Sequence, residues 1–90
     1  MNFRLPEIIH KFRTDFIPAW EGIKDQFVLF KIEKFANELK AFAENYEIVI
    51  LIEYADKIIE DLDVVDLESL SDILADFSQI VDKILSFSKN

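Results

Sequence analysis

One histidine, no cysteine and eighteen acidic side chains set the chemistry open to this chain. Glu7-Ile8-Ile9-His10 has the Glu-x-x-His spacing that puts two metal ligands on one helix face. Di-iron bundles need two such pairs and two further glutamates, and a single histidine cannot supply them. Asp61, Asp63 and Asp66 look like part of a calcium loop, but the glycine needed at its sixth position is missing. They read instead as a capped, solvated turn between helices. No Ser-His-Asp or Cys-His set, Gly-rich phosphate loop or dinucleotide fingerprint is present. The expectation is therefore no enzyme, no metal and no cofactor. One stretch stays unexplained: residues 35–46, FANELKAFAENY, with Asn37-Glu38-Leu39-Lys40-Ala41 at its centre.

The elements that would position this pentad are helices. Pro6 suits a first helical turn, where its missing N–H would be unpaired anyway. Ile9, Phe12, Phe16, Trp20 and Ile23 then recur at three- and four-residue spacing. Pro18 lies inside that stripe and clashes with the carbonyl of Thr14, so the first helix should be kinked or split there. The segment 22–26 ends it. A second stripe over 28–45 carries Val28, Ile32, Phe35, Leu39, Phe42 and Tyr46. A third, from about Glu47 to Leu62, carries Ile48, Leu51, Ile52, Ala55, Ile58, Ile59 and Leu62. Asp66 can cap a fourth helix bearing Leu67, Leu70, Ile73, Leu74, Phe77, Val81, Ile84 and Leu85. IVILI at 48–52 could be a buried strand, but its flanks keep the helical period and no partner strand exists. The expected fold class is all-α, an antiparallel four-helix bundle formed by residues 1–90 as a single domain.

At 100° per residue the second stripe points one way and Asn37 almost directly opposite. Phe30, Glu33, Lys34, Lys40, Ala41 and Glu44 share that outer face. Val49, Ile50 and Tyr54 fall away from the inward stripe of the third helix, either as a contact surface or covered by the first helix or a second copy.

Composition narrows the partners. Ninety residues support one core, and one Gly with two Pro leaves little turn chemistry for a β fold. A net charge of −8 repels phosphate backbones and anionic lipid, so nucleic acid is a poor partner. No apolar run approaches the ~18 residues of a membrane span, and MNFRLPEII lacks a cleavable signal pattern. A cytoplasmic protein without membrane insertion is expected.

The pentad in its helical setting resembles the histidine-containing phosphotransfer (HPt) domain of bacterial phosphorelays, whose acceptor helix carries H-x-L-K-G. Leu39 and Lys40 match, Ala41 stands for the glycine, and Asn37 occupies the acceptor position. FIPAWEGIKDQF resembles the family's preceding helix and turn, and IEYADKIIEDLDVVDLESLSDILADF its helix-turn-helix after the acceptor, so the resemblance spans nearly the whole chain. It implies an HPt-like bundle, a module or fragment of a hybrid histidine kinase or related two-component signalling protein. The implied partner is a receiver domain or the kinase domains of the same system, docked on the face of Phe30, Lys34, Asn37, Lys40 and Ala41. Transfer through histidine needs a nitrogen lone pair, and the Asn amide has delocalised its own into the carbonyl. The implied domain would dock without carrying phosphoryl. The alternatives are a purely structural or homodimerising bundle, and an active carrier using His10. The setting of His10, IIHKF, lacks the Leu-Lys-small sequel, and an ordinary surface histidine is expected there.

Overall fold

A computed structural model describes residues 5–86. The first and last four residues of the expected domain, 1–4 and 87–90, lie outside the described residues. The described chain is helical throughout, in four rods joined by short turns. The first comprises α1 (Leu5–Lys11), a π-helical stretch (Phe12–Phe16) and α2 (Ile17–Ile23), without a break between them. The second is α3 (Leu29–Tyr46) and the third α4 (Val49–Asp63). The fourth is α5 (Leu67–Ala75) followed, past Asp76, by α6 (Phe77–Ser86). Residues 49–52 of IVILI open α4, and Ile48 alone is extended.

The expected disturbance before Pro18 takes the form of the π turn rather than a split. Ile17 N–H bonds to the Phe12 carbonyl, five residues back. The wider turn leaves the Thr14 carbonyl room beside the Pro18 ring, and π turns accommodate such defects without ending a helix. Thr14 Oγ1 donates to the His10 carbonyl at 3.0 Å, supplying a partner within the irregular stretch. The π turn also corrects the inward stripe. Ile8 is buried and Ile9 only half-buried. The four-residue steps Ile8, Phe12, Phe16 overrun the 3.6-residue α period, and a wider turn absorbs the excess.

The short connections after α3 (47–48) and α4 (64–66) use one device. Ile48 N–H bonds to the Ala43 carbonyl at 2.8 Å and Glu47 N–H to that of Glu44 at 3.3 Å. Asp66 N–H bonds to the Asp61 carbonyl at 3.0 Å and Val65 N–H to that of Leu62 at 3.2 Å. These are Schellman motifs, which place the residue after the helix in the left-handed region. Here that residue is Glu47 (φ 57°) and Val65 (φ 52°), with no glycine at either. Ile48 and Asp66 then enter the next helix. The Asp66 carboxylate accepts from Ser69 N–H at 3.1 Å, the expected cap.

Phe35, Leu39, Leu51, Ala55, Leu70, Leu74 and Phe77 share one core with Phe12, Phe16 and Phe42. Phe77 is its aromatic centre. Its ring lies 5.4 Å from Phe35, 5.5 Å from Trp20, 5.8 Å from Tyr54 and 6.3 Å from Phe12.

The fourth rod is not the single helix its stripe implies; it is interrupted at Asp76. Asp76 N–H turns back to the Asp72 and Ile73 carbonyls at 3.3 and 3.2 Å. In an unbroken helix the Ile73 and Leu74 carbonyls would accept from Phe77 and Ser78. Instead the Tyr54 hydroxyl donates to Ile73 at 2.6 Å and the Trp20 indole N–H to Leu74 at 2.7 Å. Tyr54, expected to face outward, is buried for this reason, as helix carbonyls shielded from water need donors. Leu67, counted in the inward stripe, is exposed in the first turn of α5.

Two outcomes follow from these contacts. Burial pushes the Tyr54 phenol above its ordinary value near 10, with the Asp76 carboxylate adding to the shift. The folded state thus holds this proton more tightly than the unfolded chain. The stabilisation is complete below about pH 10 and is lost as pH rises beyond it. Urea melts should show Tyr54→Phe costing about 1 kcal/mol at neutral pH, with a shallower loss of stability above pH ~10 than in the parent. Val65→Gly should raise stability by about 1 kcal/mol by relieving the left-handed conformation of a β-branched, exposed residue. A lower denaturant midpoint would contradict that geometry.

Candidate functional site

The pentad lies in the middle of α3. Ile32, Phe35, Ala36, Leu39, Phe42 and Ala43 bury one side of the helix, so its remaining positions meet solvent or a neighbour's edge. Asn37, Lys34, Glu38 and Ala41 are exposed, as the helical phase requires. Ala41 lines a groove between α3 and the first rod, with Glu38, Phe42 and Asn45 on one wall and Lys11, Asp15 and Phe16 on the other. Lys11 Nζ and Asp15 Oδ2 are paired at 2.8 Å across one turn of the opposite wall. Their hydrogen bond raises the lysine pKa and lowers that of the carboxyl. Sequence reasoning missed this wall. The four-residue spacing of Ile8, Phe12 and Phe16 was its only signal.

The structure spreads the other expected face residues apart. Lys40, assigned to the outer face, belongs to the seam with α4. It follows Ala36 by four residues and precedes Ala43 by three, both buried, and its Nζ pairs with Asp56 Oδ1 at 2.8 Å. That hydrogen bond raises its pKa. The long lysine stem reaches across the edge of the seam where a short side chain would not. Phe30, 68 % exposed, shares a groove with Leu29, Glu33 and Leu62 at the end of α4. It lies eleven residues, about 16 Å, along α3 from Ala41. Asn37 and Ala41, one turn apart, remain adjacent, with Lys34 beside them.

The other acidic and basic candidates have separate jobs. His10 is exposed on the first rod. Tyr46 Oη donates to Glu7 Oε1 at 3.0 Å, tying α1 to the end of α3. Asp61, expected to be solvated, is 3 % exposed. Its Oδ2 accepts from Ser69 Oγ at 2.7 Å and its Oδ1 from Lys57 Nζ at 3.1 Å, the partners a buried carboxylate needs. Asp66 caps α5 and Asp63 is exposed, so the three aspartates do not converge. Among the described residues no group of three His, Cys, Asp or Glu could hold a metal ion. No described helix is long and apolar enough to cross a membrane.

Set against family models, curated proteins and solved structures, the chain matches none.

Asn37 and Leu39 separate the two sides of α3 in a measurable way. Leu39→Ala should cost about 2–5 kcal/mol, because that side chain is fully buried. Asn37→Ala should stay within about 0.5 kcal/mol of the parent. Equal losses in denaturant melts would place Asn37 in the core and remove it from any site.

Proposed function

We propose that this chain is a degenerate HPt-like interaction domain, an antiparallel four-helix bundle that docks a receiver or kinase domain of a two-component system without carrying phosphoryl. The supporting observation is the exposed Asn37, with the small Ala41 one turn on, at mid-length of a helix whose opposite side is all core. A partner approaching Asn37 meets no bulky side chain at Ala41, and the groove beyond it offers the Lys11–Asp15 pair. Pairings between the rods support the bundle arrangement. Lys40 with Asp56, Tyr54 with Ile73, and Tyr46 with Glu7 each join residues of different rods.

The amide at position 37 can accept and donate hydrogen bonds but cannot attack an acyl phosphate. Docking at this face is therefore binding only. Lys34, exposed beside Asn37, is the cation available to an acidic receiver pocket, since Lys40 already pairs with Asp56.

The test restores the missing atom. Incubated with a phosphorylated receiver domain, the parent chain should take up no acid-labile phosphoryl group, and Asn37→His should gain one. Ala41→Arg should block both that gain and receiver binding by steric clash, and Lys34→Glu should weaken binding in a salt-dependent way. Label on the parent chain that disappears with His10→Ala would assign the acceptor to His10 and end this reading. Failure of every receiver tested to shift amides around Asn37 and Ala41 would favour a bundle with no receiver contact.

A further inference from the structure

Six of the seven large apolar side chains left exposed among the described residues gather at one end of the molecule. They are Phe27, Leu29, Phe30, Val64, Val65 and Leu67. The groove shared by Leu29, Phe30 and Leu62 sets the start of α3 beside the end of α4. Val64 and Val65 follow Leu62 within three residues, and Leu67 opens α5. The seventh, Val49, lies at the other end of α4, about 21 Å away. Single exposed apolar groups need no explanation, but a contiguous patch on the order of several hundred Å² marks a contact surface. Phe30 and Val64 are 68 % and 69 % exposed, so nothing in the fold requires their burial.

The patch is flanked by acids. Glu33 lines its groove, and Asp63, Asp66 and Glu68 are exposed in and after the α4–α5 turn. None of these four carboxylates is in an ion pair among the described residues. Lys31 and Lys34 are also near the start of α3, Lys34 one turn from Phe30, so the four acids outnumber the two nearby lysines. A second copy would bring the same acidic rim against itself, with a net charge of −8 on each chain. An anionic membrane would meet the same repulsion.

We infer that this end receives a basic amphipathic helix of another protein, its apolar side on the Phe30–Val64 patch and its Lys or Arg side chains against the acidic rim. Apolar anchors would supply affinity and the charges rate and orientation. This surface is separate from the Asn37–Ala41 face, and its occupancy does not depend on receiver docking.

The experiment uses a helical peptide with one leucine face and one lysine face, and a leucine–glutamate counterpart. Titrated into the full chain, the lysine peptide should shift amides of residues 27–33 and 62–68. Its affinity should fall with added salt, and by about tenfold or more in the Phe30→Ser/Val64→Ser variant. Ala41→Arg should leave it unchanged, which keeps this outcome distinct from that of receiver docking. Both serine positions are exposed, so the variant's melting should match the parent's. Equal binding of the glutamate peptide, or shifts confined to other regions, would overturn the inference. So would a concentration-dependent dimer or binding to anionic vesicles that disappears in the serine variant, since the occupant would then be a second copy or a lipid surface.

Discussion

The fourth rod is interrupted at Asp76, and two side chains from other rods supply donors to the carbonyls freed there. The Tyr54 hydroxyl and Trp20 indole N–H reach Ile73 and Leu74 at 2.6 and 2.7 Å. A helix end shielded from water without such donors would cost about 1–3 kcal/mol for each carbonyl left unpaired. The same two rings lie against Phe77, the first residue past the break. One pair of side chains therefore joins α2, α4, α5 and α6, with polar tips on the backbone and apolar bodies in the core. Phe12 and Phe35 close the cluster from the first rod and α3.

The connections complete the constraint. A chain with a single glycine turns twice through left-handed residues, at Glu47 and Val65, where glycine is usual. The strain is tolerated because each turn satisfies two helix carbonyls and delivers the next helix within two residues. Asp61 reinforces the second turn from below. It is buried among Lys57, Ser69 and the Asp66 N–H that bonds to its carbonyl, so a carboxylate expected in a solvated turn instead holds that turn together.

Function then falls to what this frame leaves uncovered. The core takes one side of α3 and the α4 seam takes Lys40, which leaves Lys34, Asn37 and Ala41 beside a groove walled by the π turn. At the far end of the same helix the turns leave Phe30 and Val64 in solvent.

Spacing alone determined that the chain is helical, where its helices lie, and which of Phe35, Leu39, Leu51, Ala55, Leu70, Leu74 and Phe77 face inward. Apolar periodicity is local, and the 3.6-residue turn converts it directly into a buried side. The same phase placed Asn37, Lys34 and Ala41 in solvent, and Asp66 announced its cap. Only tertiary structure decided the rest. Whether the carbonyls freed at Asp76 find donors depends on Trp20 and Tyr54, distant in sequence. Whether Lys40 is free depends on Asp56, one helix away and within reach of a long flexible stem. Whether Phe30 is a lone surface ring or part of a patch depends on α4 ending beside it. Each is a pairing across rods, and no periodicity within one helix encodes its neighbour.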